Sequence, residues 1–289
     1  MFCEHCDFQS AEAVLKTIDN FEKEIPETVV EALDTTNSEA RDKKEMLKER
    51  LRWLTFSDPV FVALPYNLSD HRDELKFNLF FFIAVTAYIN RRMFEIGLPM
   101  RGAIHTGDII ISERCYAGKA IVDAHNFGKK FQAAATFVSE QADALIFNAF
   151  PEKEGFYSWF SNSIIECEVS TGTKLVSKLL LGSESEKVKT LCWFNSEIGS
   201  IKRFAIPLDL NRFITEKFTA HGKKLSGEKE KMKVVNTENL LRLGKPLVSQ
   251  VIIKYYFTKS KPCIFRSWGN YLRNIPGRPP PILPIILQT

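Results

Sequence analysis

The pattern of apolar and polar positions in the first third of the chain predicts a β-hairpin followed by a helix. β-branched and aromatic residues flank an Asp-Pro pair in 55–63 (TFSDPVFVA), which predicts two strands joined by a tight turn that holds Asp58. From Asp70 onward apolar residues recur at helical spacing until Gly97, where we expect the helix to end. The apolar centre of this helix, 77–89, is too short to span a bilayer and contains an asparagine. We therefore expect a buried helix and no membrane association.

The following residues predict two more strands and a second helix. The first strand covers 100–111 and is interrupted by Gly107, the second lies around 116–121, and the helix begins near Val122. Strands and helices in this order predict an α+β fold built on one sheet. Apolar periodicity predicts further helices and short strands in 8–33, 136–147, 163–169, 174–181, 188–194, 207–221 and 236–254.

The last thirty residues have a different composition. Residues 259–289 contain six prolines and end in the apolar sequence PPPILPIILQT. Each proline fixes φ and removes a backbone donor, so a polyproline-like extension is expected, with an unstructured segment as the alternative. If extended, the apolar end at 282–287 requires a partner, either a groove on the same protein or another chain.

Composition and charge are those of a globular protein with an uneven charge distribution. The 289 residues are 45% hydrophobic and 26% charged, with a formal net charge of +4. Residues 189–289 carry a net charge of +12 and residues 1–188 carry −8. A basic half can meet a triphosphate, nucleic acid or an acidic surface of another copy, and a solvated charged face is the plainer interpretation.

The six cysteines are scattered, which favours a reduced, cytoplasmic protein. Cys3 and Cys6 form half of a zinc-ligand pattern, but no second pair follows at finger-like spacing, so zinc is not favoured.

Three motifs resemble the class III nucleotidyl cyclases, closest in style to the stand-alone bacterial pyrimidine cyclases of Pycsar antiphage systems. The motifs are FSD at 56–58, LPMRGAIHTGDI at 98–109 and GKAIVDAHNF at 118–127, with a weaker match, KVVNT, at 233–237. The resemblance covers most of residues 1–240. It implies a ferredoxin-like (βαββαβ-type) catalytic domain over 1–150, an α+β extension of that unit over 151–258 and a proline-rich basic tail over 259–289.

The resemblance also implies a metal site. In the family two aspartates hold two Mg²⁺ ions, or Mn²⁺, which position the triphosphate for attack by the ribose 3′-hydroxyl. Asp58 matches the second of these aspartates. The first belongs to an opening strand of the form Asp-Ile-Leu-Gly-Phe, and its nearest match here is 4–8 (EHCDF), where Glu4 takes the metal position. Glutamate is one methylene longer than aspartate, so Glu4 is the poorer match.

The implied base pocket departs from that of the purine-specific cyclases. Leu54 and Cys115 stand where those enzymes carry a lysine and an aspartate that read the base edge. Neither side chain can make those hydrogen bonds, so an ordinary adenylate or guanylate cyclase is not expected. A pyrimidine triphosphate, UTP or CTP, is the substrate class that stays open.

The implied catalytic pair is also altered. Val122 and Asn126 align with the asparagine and arginine that steady the ribose and the transition-state charge, so a substitute cation is needed. Arg101 is the residue we expect in that role, with a sheet-edge cation as its alternative interpretation. Other cations in reach by sequence are Lys119, Lys129 and Lys130. His105 is expected to be a sheet histidine rather than a base.

Two functional hypotheses follow. One is a divergent nucleotidyl cyclase that forms a 3′,5′-cyclic nucleotide in a head-to-tail homodimer, with its sites between protomers and a signalling role in antiphage defence. The other is a catalytically silent relative that binds a nucleotide or a protein partner. A ferredoxin-like RNA-binding module is not favoured, because the strand pair lacks the aromatic residues on which bases would stack.

Overall fold

The computed structural model describes residues 8–32, 45–46, 48–55, 59–66, 72–112, 115–149, 163–173, 183–195, 204–243 and 282–288. The helices in these residues are α1 (Phe8–Ala32), α2 (Arg72–Glu95), α3 (Lys119–Lys130), α4 (Glu140–Ala149), α5 (Leu210–Thr219) and α6 (Glu228–Leu243), with a 3₁₀ turn at Ala220–Gly222. The strands are β1 (Arg52–Thr55), β2 (Pro59–Pro65), β3 (Arg101–Ile104), β4 (Ile110–Ser112), β5 (Cys115–Ala117), β6 (Thr136–Val138), β7 (Ile164–Thr173), β8 (Ser183–Leu191) and β9 (Ile282–Gln288).

Seven strands form one mixed sheet in the order β1-β2-β9-β3-β6-β8-β7, and β4 and β5 form a separate hairpin. Only β3 and β6 pair in parallel; the other neighbours in the sheet are antiparallel. The predicted α+β class is therefore confirmed.

Several predicted elements are present with altered bounds. The helix predicted for 70–97 is α2, and it ends where Gly97 adopts the positive φ of +80° that glycine tolerates best. α3 begins at Lys119 rather than near Val122, because β5 already ends at Ala117. α6 begins at Glu228 rather than at 236, and its first turn, 228–231, is charged and largely exposed. Because the N-terminal residues of α6 are charged, apolar periodicity alone predicted that the helix begins later in the sequence.

One face of the sheet is covered by α1 and α2, and we call it the α1–α2 face. Alternate residues of β2, namely Val60, Val62 and Leu64, pack there with both helices. The largest fully buried side chains of this core are aromatic and aliphatic, and the aromatic ones are Phe21, Phe81, Phe82 and Phe94. The predicted buried helix is confirmed: residues 78–87 of α2 are all buried.

The opposite face, here called the α3 face, is covered by α3 and by the β4–β5 hairpin. The intervening residues of β2, Phe61 and Ala63, pack there against Ala103 of β3 and Ala120 and Ala124 of α3. The alanines of α3 and β3 are small, so the helix lies close to the sheet. The closest approach is at Gly128, where an added Cβ would lie 3.0 Å from the carbonyl carbon of Gly102.

The apolar end of the proline-rich tail forms β9, in the middle of the sheet. All seven residues of β9 pair with β2, and its last four pair with β3. The extended segment expected from the sequence therefore finds its partner within the same chain. The other residues of 259–289 lie outside the described part of the structure. Among the described residues, no helix is long and apolar enough to cross a membrane.

Candidate functional site

The strand register places Arg101 at the same end of the sheet as the turn that contains Asp58. Thr55 pairs with Val60, so residues 56–58 form the connection between β1 and β2. Pro59 pairs with Gln288 of β9, and Gln288 pairs with Arg101. Arg101 thus lies two strands from the start of β2, about 10 Å across the sheet at ordinary strand spacing.

Arg101 lies on the α3 face, as the alternation with its buried neighbour Ala103 requires. Its Nη1 atom donates a hydrogen bond to the carbonyl oxygen of Phe131, just beyond α3, at 3.1 Å. Burial lowers the pKa of the Arg101 guanidinium, although an arginine remains charged at any physiological pH. Arg101 forms no ion pair with any described residue.

Helix α6 brings a second cation to Arg101. Asn236 Nδ2 donates to the carbonyl oxygen of Gln132 at 2.6 Å, so α6 and Arg101 bind two consecutive carbonyl groups of one loop. Lys233 lies one turn earlier on α6 and is half-buried. Its pKa is lowered, first by burial and then by the charge of Arg101. In the described residues Lys233, like Arg101, has no carboxylate within ion-pair distance.

Further positive charge comes from α3. Burial, followed by the charges of Lys129 and Arg101, lowers the pKa of His125, which places all three side chains in one electrostatic environment. We call Arg101, Lys129 and Lys233 the cationic cluster. After burial, the charges of Arg101 and Lys229 lower the pKa of Lys233 and only Glu230 acts in the opposite direction, so an anion bound nearby would reduce the repulsion between the cations. The arrangement is therefore suited to binding a phosphate group.

Leu54, one of the two residues proposed for the base pocket, lies farther along the same face, and of the other, Cys115, only the backbone position in β5 is described. Leu54 pairs with Phe61 and packs into the small core of the α3 face. Tyr116, which follows Cys115 in β5, stacks on Phe61 with ring centroids 5.1 Å apart, and its hydroxyl donates to the Trp53 carbonyl at 3.4 Å. This region is aromatic and aliphatic, and a tyrosine hydroxyl lies at its rim.

Asn126 and Val122 are not brought together with Arg101. Ala120, Ala124 and Gly128 form the buried side of α3, whereas Val122 and Asn126 lie on the opposite, exposed side. Val122 is 56% exposed. Val122 and Asn126 therefore face solvent, on the same exposed side of α3 as Lys129.

The two proposed metal ligands, Asp58 and Glu4, both lie outside the described residues. Phe8, the last residue of the motif matched to an opening strand, begins α1. Nowhere in the described ranges do three histidine, cysteine, aspartate or glutamate side chains converge to hold a metal ion. The described residues alone therefore do not fit a metal ion, and no reaction step can be drawn through one.

The contacts of His105 indicate a structural role. It is buried, its Nδ1 lies 3.0 Å from Ser139 Oγ, and burial is the main cause of its lowered pKa. Ser139 in turn accepts the Ala142 N–H in the first turn of α4. His105 thus supports the start of α4.

No protein-family model, no curated protein and no solved structure matches this chain.

Sequence reasoning missed the approach of Lys233 to Arg101. The two residues are separated by more than a hundred positions, and only the pairing of α6 with the loop after α3 brings them together. Lys233 did stand in the KVVNT motif, where an apolar helical stripe begins at Val234. A lysine at the edge of such a stripe is the one sequence signal that could have indicated a half-buried cation at this position.

Proposed function

We propose that the protein is a divergent class III-like nucleotidyl cyclase with a ferredoxin-like catalytic core. It would convert a nucleoside triphosphate into a 3′,5′-cyclic nucleotide and diphosphate. The observation that carries the proposal is the register that sets Arg101 at the same sheet end as the connection that includes Asp58, together with the electrostatic interaction of Lys233 with Arg101. Its biological role would be a signal in antiphage defence, as in the Pycsar-type proteins that the motifs resemble.

Each group of residues in the proposed site would have a separate role. The cationic cluster would bind the triphosphate, and its half-buried members, Arg101 and Lys233, would bind phosphate more strongly than exposed cations do. Mg²⁺ or Mn²⁺ held by Asp58 and Glu4 would supply the electrostatic clamp on the phosphates. Leu54, Cys115 and Tyr116 would form an apolar base pocket, which suits a pyrimidine read mainly by shape.

The site would be completed by a second copy of the chain. Asn126 lies on the exposed side of α3, where a second protomer can reach it. A head-to-tail homodimer, with each site built from the cationic cluster of one chain and α3 of its partner, satisfies this geometry.

The test is to incubate the pure protein with each of the four ribonucleoside triphosphates, with Mg²⁺ and separately with Mn²⁺, and to detect cyclic product by mass spectrometry. We expect product from UTP or CTP, and its loss in Asp58→Ala. Asp19→Ala, which removes an exposed carboxylate of α1, is the matched control and should keep full activity.

Arg101→Gln should lower the rate at least about 100-fold, in keeping with the loss of an arginine from a phosphoryl-transfer site. If no triphosphate yields product although the protein is folded, the cyclase proposal fails. Triphosphate binding without product would then support the alternative, a silent nucleotide-binding relative.

A further inference from the structure

The sheet contains a slot for one strand between β2 and β3. Both strands run antiparallel to β9, so they are parallel to each other on either side of it. Without β9 their facing edges would stand about 10 Å apart, which is two strand spacings. Neither β1, on the far side of β2, nor β6, on the far side of β3, can reach across that gap.

The two facing edges require an antiparallel strand. β2 offers seven residues and β3 offers four, and their backbone N–H and C=O groups need partners wherever water is excluded. α1 and α2 cover one face of this part of the sheet and α3 covers the other. An inserted strand satisfies both edges at once, which is the geometry of recognition by strand addition.

The sequence of β9 suits such a site. ILPIILQ carries no charge, and its proline has a defined place in the ladder. Pro284 pairs with Ala63 of β2, whereas pairing with β3 begins only at Ile285. Proline has no backbone N–H to donate, and at position 284 no residue of β3 is paired that would accept such a hydrogen bond. Its fixed φ also reduces the entropy that an extended segment loses on binding.

β9 is separated in sequence from the rest of the sheet. Thirty-eight residues, 244–281, stand between α6 and β9. The elements from α1 to α6, by contrast, follow one another along the chain, and β3, β6, β8 and β7 pair without β9.

We propose that the slot between β2 and β3 is a strand-binding site, that residues 282–288 are its tethered ligand, and that it accepts the same segment as a separate peptide. Its ligand class is an uncharged, proline-containing, extended apolar peptide. This inference does not rest on nucleotide chemistry, and its test needs no nucleotide.

The experiment starts from the folded, full-length chain with a protease recognition sequence inserted after Ser260. After cleavage, a fluorescent peptide containing 279–289 with two added lysines for solubility is supplied, and its incorporation is followed by fluorescence anisotropy. Ile286→Pro in the peptide removes a donor from a residue that pairs with both Phe61 and Ala103. We expect it to bind about 100-fold more weakly.

Ile282→Pro is the matched control, because Ile282 pairs only with Pro65 at the end of the ladder. It should bind within about threefold of the unchanged peptide. Equal binding of the Ile286→Pro and unchanged peptides, or no incorporation into the folded cleaved protein, would overturn the proposal.

The uncut chain provides a second test, in case the cleaved protein unfolds. In hydrogen exchange, Ile286→Pro should deprotect the amides of 59–65 and 101–104, and Ile282→Pro should not. Unchanged protection in both variants would equally overturn the proposal.

Discussion

The two faces of the sheet are built from different side chains. The α1–α2 face is filled by large aromatic and aliphatic residues that are fully buried, whereas α3 packs with alanines on its own buried side and approaches the sheet closely at Gly128. Large side chains remove more apolar surface from water, and small ones let a helix approach the sheet. The first face therefore supplies most of the stability, and the second positions the cationic cluster.

The largest effect should come from the α1–α2 face. Phe82→Ala removes a fully buried ring from α2 and should lower the free energy of unfolding by about 3–5 kcal/mol, measured by urea denaturation. Phe147→Ala is the control, because Phe147 is 61% exposed, and it should change stability by less than about 0.5 kcal/mol. Similar losses of unfolding free energy in both variants would show that burial of the ring does not determine the loss.

Gly128→Ala tests the close approach on the α3 face. The new methyl group would meet the backbone of Gly102 at 3.0–3.3 Å, so either α3 or β3 must shift. We expect a loss of about 1–3 kcal/mol in thermal or urea denaturation. Asn126→Ala, on the exposed side of the same helix, should be close to neutral. If Gly128→Ala is neutral too, the contact between α3 and the sheet is looser than described.

Lys233→Gln should separate stability from binding. Because burial and Arg101 lower the pKa of Lys233, the unfolded chain binds the proton more tightly than the folded one. Wild-type stability should therefore rise as pH increases toward 10.5, the ordinary lysine value, and the variant should lack that part of the rise. At pH 7 the variant should be as stable as the wild type or slightly more so.

The same variant should bind inorganic triphosphate at least about tenfold more weakly, as measured by calorimetry, since a phosphate-binding cation is lost. Lys231→Gln, an exposed neighbour on α6, is the control for both measurements. Equal affinity of the two variants for triphosphate would remove Lys233 from the proposed site.

The smallest effect concerns His105. Its pKa is lowered by burial, so the unfolded chain takes up a proton near pH 6.5 while the folded chain does not. Stability should fall as pH decreases below 6.5, and His105→Gln should fall less steeply over that range. Above pH 6.5 the difference between variant and wild type should be constant. A parallel decline of both proteins below that value would show that other groups dominate.

The sequence predicted the elements that local patterning controls. Alternation around the Asp-Pro turn indicated β1 and β2, and helical periodicity indicated α2, because each pattern reflects burial on one side of a single element. It did not predict that β9 enters the sheet between β2 and β3. That pairing depends on residues more than two hundred positions apart, and the prolines favoured a different conformation.

The candidate site was predictable only in part. Arg101 was indicated by its motif, and the register then set it at the same end as the 56–58 turn. The electrostatic interaction of Lys233 with Arg101 was not predicted, because it depends on where α6 packs. The outward direction of Asn126 follows from helical geometry once the bounds of α3 are known.

The position of β9 also bears on how the protein folds. Each of its pairs with β2 joins residues more than two hundred positions apart, and contacts of that range form slowly because a long loop must close first. On the ribosome, β2 and β3 are made long before the strand that will lie between them. We therefore expect most of the helices and outer strands to form early, and the centre of the sheet to close last.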